Sequence, residues 1–322
     1  MASFFKTVLA AFLALVIFTL LIFFFTVSAV KGLGDDTRPR VADRSVLVID
    51  LGQAYMEQMQ QSPLAILSND PEKKIPGLYE VVRLIKKAKD DRSVSGILIK
   101  ANPSPNGFAA STEIRNALLD FKSGGKFIIA HADILTQRTY AIANVADTIY
   151  VSPQGMFEWV GYSVNYAFVK GTLDKLDIEP QIFYAGKFKS ATEPFRTDKM
   201  TEENKLQTSA WMNELYDELL IQTASARKLD TANLRRLANE GSIGNPQHAV
   251  EQRLIDGVKY DDEVRDAIKK KLDIGKYERI NFITINAYRA TGNFARTGGE
   301  KIALIFAEGD IIDGKGDYTK AF

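Results

Sequence analysis

Residues 94–132, VSGILIKANPSPNGFAASTEIRNALLDFKSGGKFIIAHA, decide the fold class of this chain. Two short apolar runs, at 94–101 and 126–132, are typical of buried strands. Between them, residues 111–125 have the pattern of a helix that ends at two glycines. A strand, a helix and a second strand at this spacing predict a βαβ unit with parallel strands.

The same alternation continues on both sides of this unit. Upstream, residues 45–51 predict a strand and residues 75–91 a helix with one apolar stripe. The elements predicted downstream are a helix at 135–146, a strand at 147–153, a helix at 166–178, a strand at 180–186, a long helix from Thr201, helices near 231–240, 246–254 and 261–272, and a strand at 279–285. The sequence therefore predicts an α/β fold with a mostly parallel sheet and a helical excursion in its second half.

The composition excludes several classes of function. The 322 residues include 41 basic and 40 acidic side chains, so nothing in the charge favours binding to nucleic acid. The absence of cysteine excludes disulfides, thiolate metal sites and a cysteine nucleophile. Of the two histidines, His131 closes an apolar strand and His248 falls in the first turn of an exposed helix, where neither forms a metal-binding pattern. We expect no metal and no cofactor, and acid–base chemistry without histidine.

The N-terminal region predicts a membrane anchor. Residues 7–30 carry no charge, and as a helix they would extend about 36 Å, enough to cross a hydrocarbon core of about 30 Å. This run is longer than the core of a cleaved signal peptide. We assign residues 1–6 to a short leading segment, 7–30 to a transmembrane helix and 31–44 to a linker. The basic residues do not support export of the following domain, because one precedes the anchor and four follow it: Lys6, then Lys31, Arg38, Arg40 and Arg44.

The C-terminal residues predict the start of a second repeat. Residues 302–307 form an apolar run followed by a glycine, as residues 45–51 do near the start of the soluble part. We therefore assign residues 45–299 to a first repeat and 300–322 to the truncated beginning of a second one, and we expect the chain to be part of a longer protein.

Three segments resemble one known family. Residues 183–207, FYAGKFKSATEPFRTDKMTEENKLQ, look like the lysine segment of peptidase family S49, the membrane-bound Ser–Lys peptidases of the signal peptide peptidase A type. Residues 97–118 and 140–162 are similar to flanking segments of that family. The run KSATEPF, at 189–195, is the most specific of these matches. The resemblance implies a ClpP/crotonase-like ββα superhelix and the amino-terminal half of the long, two-repeat form.

The resemblance also implies an incomplete site. Lys189 stands where the family has its general base, and the family's nucleophilic serine belongs to the second repeat, so we expect no nucleophile in this chain. The loop that corresponds to the serine loop has Asn106 in place of a glycine and Phe108 in place of the serine. Lys187, as a neighbouring cation, and Gly107, as a remnant of an oxyanion hole, are candidate accessory residues.

The chemistry sets a condition on Lys189. A serine hydroxyl needs an adjacent base, and a lysine accepts a proton only when it is neutral, so a pKa near 10.4 has to fall by about three units. Desolvation in an apolar pocket can supply the corresponding ~4 kcal/mol. The aromatic residues Tyr184, Phe188 and Phe195 predict such a crevice, whereas local composition alone favours an ordinary solvated lysine.

Other residues have simpler interpretations. Ser190 adjoins Lys189 and is poorly placed to face it, and loop or helix capping accounts for Ser104 and Ser111. The aromatic residues Phe157, Trp159 and Tyr162 fit a core or a subunit interface better than a substrate platform.

The function implied is a membrane-anchored serine peptidase that degrades cleaved signal peptides or other hydrophobic peptides. By resemblance, the soluble part would lie in the periplasm at a bacterial inner membrane, and the subunits would assemble into a ring-shaped homo-oligomer such as a tetramer. The expected partners are hydrophobic peptides and membrane lipid. Two alternatives are a non-catalytic S49-like membrane scaffold and a crotonase-type acyl-CoA enzyme, although no adenine or pantetheine signature is found. We expect the 322-residue chain by itself to be inactive.

Overall fold

A six-stranded sheet forms the centre of the computed structural model, which describes residues 2–33, 41–59, 75–292 and 303–306. The strands are β1 (Ser45–Asp50), β2 (Val94–Lys100), β3 (Phe127–Leu135), β4 (Thr148–Phe157), β5 (Gly257–Val258) and β6 (Phe282–Thr284). Their order is β5-β4-β3-β2-β1-β6, and each pair of neighbours is parallel. The predicted α/β class with a parallel sheet is confirmed.

Helices connect the strands and extend the chain beyond the sheet. They are α1 (Ala2–Leu33), α2 (Leu78–Asp90), α3 (Phe108–Ser123), α4 (Gln137–Ala143), α5 (Lys170–Lys175), α6 (Glu193–Arg196), α7 (Glu202–Arg227), α8 (Thr231–Asn239), α9 (Pro246–Glu251), α10 (Asp261–Leu272) and α11 (Ile285–Ala290). A short 3-10 turn, Ser190–Thr192, precedes α6.

The sheet is covered on both faces, which explains why its central strands are continuously apolar. In β2, Ile97 and Ile99 belong to the larger core cluster, which includes residues of α2, α3 and α4. Leu98, between them, points to the smaller cluster, which is packed under α10. The unbroken ILI run therefore results from two cores, one on each side of the strand.

One predicted boundary in the first half, the start of α3, shifts for a local reason. α3 begins at Phe108 rather than at Ser111, because Gly107 is extended (φ −67°, ψ 170°) and its carbonyl accepts the Ser111 N–H at 3.0 Å. The same helix ends at Ser123 with Gly124 as its C-cap, and Gly125 follows with φ +77°, a left-handed conformation that favours glycine.

The segment between β4 and α7, residues 160–200, which we call the excursion, differs most from the sequence-based prediction. The helix expected over 166–178 is confined to α5, and the strand expected over 180–186 is wrong. Those residues pair with no strand of the described sheet and are largely exposed, Phe183 to 92%. An apolar run forms a strand only when the edge of a sheet lies beside it and takes up its backbone hydrogen bonds. Residues 180–186 have no such partner among the described strands.

The terminal predictions are covered only in part. α1 includes the predicted anchor and continues to Leu33, into the segment assigned to the linker. By length and composition, Phe4–Phe25 is an apolar, exposed stretch that can cross a membrane. Residues 34–40 of the linker and most of 300–322 lie outside the described residues. Residues 303–306 form no strand, and Ile305 is 88% exposed, so the start of a second repeat stays a prediction.

Candidate functional site

The loops that follow β1 and β2 lie side by side. Both strands are parallel and paired in register up to Asp50 and Lys100, so their carboxyl ends reach the same edge of the sheet. The loop after β2, residues 101–107, is the one that resembles the serine loop. Its hydrogen bonds to the loop after β1 therefore decide what this edge can do.

Asn106 holds these two loops together. It is buried, its Oδ1 accepts the Tyr55 N–H at 2.8 Å, and its Nδ2 donates to the Gln53 carbonyl at 2.8 Å. The same Nδ2 lies 2.9 Å from Ser104 Oγ, which also accepts the Asn106 N–H at 3.3 Å. A glycine at this position would make none of the side-chain bonds. Ser104 is thus a loop-capping residue, as predicted.

Tyr55 extends the same anchoring. Its hydroxyl donates to the Asp50 carbonyl at 2.8 Å, and its ring is almost completely buried. Burial, and secondarily the charge of Asp50, raise the pKa of the Tyr55 phenol, so the hydroxyl remains a donor at physiological pH. The hydrogen bonds of Asn106 and Tyr55 therefore fix the conformation of the loop after β2.

The position of the expected serine carries an aromatic ring. Phe108 begins α3, packs edge-to-face on Tyr162 with ring centroids 5.8 Å apart, and is covered by the Arg138 guanidinium at 5.2 Å. Gly107 precedes it, and a Cβ placed there would meet no atom within 4 Å. The structure thus gives no steric reason for a glycine at 107, and the role in an oxyanion hole stays untested.

Lys189 lies on the excursion, directly before the 3-10 turn, as its N-cap residue. Its side chain is exposed, as is that of Lys187. The expectation of an apolar crevice is wrong for the chain by itself, because Tyr184, Phe188 and Phe195 are each about half exposed. Their rings face outward because the excursion contributes almost nothing to the described core.

A shallow groove of about 780 Å³ runs along this excursion. Its lining includes Ile182, Tyr184 and Phe195, but Lys189 is not part of it. Arg196 stacks on the Tyr184 ring, with its guanidinium carbon 4.2 Å from the ring centroid. The exposed aromatic surface, which comprises Tyr184, Phe188 and Phe195, therefore lies open next to the lysine.

The two histidines take no part in this region. His131 lies within β3, with Nε2 3.2 Å from the Lys259 carbonyl, and His248 lies in the first turn of α9, as predicted. Within the described ranges, no group of three or more His, Asp or Glu side chains is placed to hold a metal ion.

The aromatic residues after β4 belong to the core. Phe157 and Trp159 are buried, and the Trp159 indole donates to the Leu234 carbonyl at 2.9 Å. Tyr162 is partly buried between Phe108 and Tyr216. The prediction of a core role is confirmed for the first two.

Sequence reasoning missed Glu193, the one acidic residue of the KSATEPF run. It is 1% exposed and contacts the first turn of α7. The only signal was a Thr201 N-cap eight residues downstream, and that spacing alone does not place a carboxylate beside it.

Comparison with known proteins decides the family. Residues 120–275 match the model of peptidase family S49, a stretch that includes both the lysine segment and the core aromatics. Residues 120–275 belong to peptidase family S49. The sequence-based recognition is therefore confirmed.

Two relatives illustrate how much of the family this chain represents. It is 31% identical over 246 residues to "Protease 4" of Salmonella typhi, covering 74% of this chain and 40% of the relative. It is 28% identical to "Serine protease SPPA, chloroplastic" of Arabidopsis thaliana, covering 87% of this chain and 40% of the relative. The chain thus spans about two fifths of the length of these curated relatives.

One solved structure, an enoyl-CoA hydratase/isomerase family protein from Silicibacter pomeroyi, matches with a TM-score of 0.40 and 13% identity. The match covers 73% of this chain and 82% of the other.

Proposed function

We propose that this chain supplies the membrane anchor and the general-base lysine of a Ser–Lys peptidase. Lys189 is the base, and the nucleophilic serine comes from a part of the protein outside the described residues. The observation that carries the proposal is the position of Lys189 within KSATEPF, inside the region that matches the family. Two relatives are named as proteases, which supports a peptidase.

The reaction needs one base for two proton transfers. Neutral Lys189 would take the serine hydroxyl proton as the oxygen attacks the carbonyl carbon of the peptide bond, and would then give that proton to the leaving amine. In the second half of the reaction, Lys189 would take a proton from the water that attacks the ester carbonyl and give it to the departing serine oxygen. Serine and lysine thus end as they began, and no cofactor is consumed.

The exposed aromatic surface supports a site completed by another surface. Lys189 can lose its solvent only if something covers it, and Tyr184, Phe188 and Phe195 would be buried by the same cover. We propose a second repeat or a neighbouring subunit as that cover, in a ring-shaped homo-oligomer. Burying half-exposed aromatic rings would contribute to such an interface.

The proposed substrates are hydrophobic peptides, including cleaved signal peptides, left near the membrane. An apolar N-terminal helix would keep the site at the bilayer where such peptides accumulate. We propose a single-pass protein of a bacterial inner membrane with its soluble part in the periplasm. Lys187 and Gly107 remain candidate accessory residues.

The test is peptide hydrolysis by the full-length protein and two lysine variants. Lys189→Ala should reduce kcat/KM by at least about 1,000-fold, because the serine loses its base. Lys187→Ala is the comparison variant: an accessory cation two residues away only assists the loss of the Lys189 proton, so its removal should leave kcat/KM within about fivefold of the wild type. Near-normal turnover by Lys189→Ala would remove this residue from the mechanism.

A non-catalytic scaffold is the second candidate. Phe108 favours this candidate, because the loop has no hydroxyl at the position of the family's serine. The hydrogen bonds of Asn106 to Tyr55 and Gln53 favour it too, because they hold the loop in this form. Full-length wild-type protein that assembles but cleaves no peptide would support the scaffold and refute the peptidase.

A further inference from the structure

The excursion has one buried side chain, and that side chain is charged. Of residues 160–200, all of which the structure describes, only Glu193 is buried, at 1% exposure. Burying a carboxylate is costly unless hydrogen bonds and opposite charge compensate for the lost water. Its presence in an otherwise exposed segment therefore indicates a specific attachment.

Glu193 is attached to the beginning of α7. Its Oε2 accepts the Thr201 N–H at 3.2 Å and the Asn204 Nδ2–H at 2.8 Å, while its Oε1 accepts the Thr201 hydroxyl. Arg196 Nη2 lies 3.5 Å from Oε1. The amino end of a helix carries partial positive charge, which further favours an anion. Burial acts against ionisation, but these hydrogen bonds outweigh it and lower the pKa of Glu193.

This attachment lies four residues from Lys189. The 3-10 turn Ser190–Thr192 leads directly into α6, which starts at Glu193, so little free chain separates lysine from carboxylate. A backbone hydrogen bond also holds the residue after Glu193: the Val169 N–H donates to the Pro194 carbonyl at 2.8 Å. On the other side, Lys189 follows exposed residues, including Gly186 with φ +92°. The place of Lys189 is therefore fixed from its carboxyl side.

We propose that Glu193 is a positioning residue: by binding the first turn of α7, it holds Lys189 where the base must stand. The inference rests on the proposed function of Lys189. It goes beyond that function by naming the carboxylate on which the lysine's position depends. In the complete enzyme, where the proposed cover excludes water from Lys189, loosening the attachment would let the lysine move back toward solvent without altering any group that touches the substrate.

The pH profile of the full-length enzyme separates positioning from general stability. A lysine that moves into water holds its proton more strongly, so the acid limb of kcat/KM for Glu193→Gln should shift to higher pH. The kcat/KM of Glu193→Gln should be about 10- to 100-fold below that of the wild type near pH 7, and less than about threefold below it near pH 10. A merely destabilised enzyme would lose the same factor at every pH.

The matched control is Glu202→Gln, in the same first turn of α7. Glu202 is 84% exposed and pairs with Lys205, so its loss should leave the profile unchanged. If Glu193→Gln does not fold, Asn204→Ala removes a single donor to the carboxylate and should shift the acid limb in the same direction by a smaller amount.

The outcomes distinguish the two proposals. If Lys189→Ala is active, the proposed function fails whatever Glu193 does. If Lys189→Ala is inactive while the acid limb of folded Glu193→Gln coincides with that of the wild type, the base assignment survives and the positioning role is refuted. A loss that is equal at all pH values also refutes it.

Discussion

Replacing Asn106 tests whether the loop after β2 is a locked structural feature. Asn106→Ala removes the two shortest bonds, to the Tyr55 N–H and the Gln53 carbonyl, both 2.8 Å. Each bond is worth about 1 kcal/mol net, and leaving the Tyr55 N–H without a partner adds about 1 kcal/mol or more. We therefore expect a loss of about 3 kcal/mol in the free energy of unfolding. For a domain of this size, that corresponds to a fall in Tm of about 6–12 °C.

The assay is urea unfolding of the detergent-solubilised chain, followed by tryptophan fluorescence. Buried Trp159 reports the core, and Asn102→Ala is the matched control. Asn102 lies in the same loop, is only partly buried, and has one long contact of 3.5 Å to Asp50, so its loss should cost less than about 0.5 kcal/mol.

A second substitution at the same site sharpens the test. Asn106→Asp keeps an acceptor for the Tyr55 N–H but turns a carboxylate oxygen toward the Gln53 carbonyl, so it should destabilise at least as much as Asn106→Ala at neutral pH. If Asn106→Ala costs no more than Asn102→Ala, the loop is not held by this side chain and the reasoning fails.

Two further predictions concern the sheet and the acid stability. At Gly155 in β4, a Cβ would lie 2.1 Å from the Asp133 carbonyl oxygen. Gly155→Ala should therefore lower the free energy of unfolding in urea by about 1–3 kcal/mol. Gly107→Ala, where a Cβ meets no atom within 4 Å, should change that free energy by less than about 0.5 kcal/mol. Equal effects would contradict the steric argument. Because the pKa of Glu193 lies below its ordinary 4.5 in the folded chain, the unfolded chain takes up that proton first. The stabilisation is therefore complete above about pH 4.5 and is lost as the pH falls through the folded value, so acid titration should give Glu193→Gln a shallower loss of stability than the wild type.

The sequence by itself determined the fold class and the family. The ILI run of β2 and the stripe of α2 follow from the residue pattern, because strands and helices bury side chains at different periods. The KSATEPF run identified the lysine segment without any coordinates.

Only the tertiary structure decided which side chains of the site are buried. Aromatic residues next to Lys189 predicted a crevice, yet their rings are about half exposed, whereas the charged side chain of Glu193 is buried. Local sequence does not predict which of these side chains is buried, because burial depends on which part of the fold packs against each of them. For Glu193 the facing group is the first turn of α7, eight residues on, whose N–H and hydroxyl donors stabilise an anion. For the aromatic rings, the described residues cover only about half of each, as where Arg196 stacks on Tyr184.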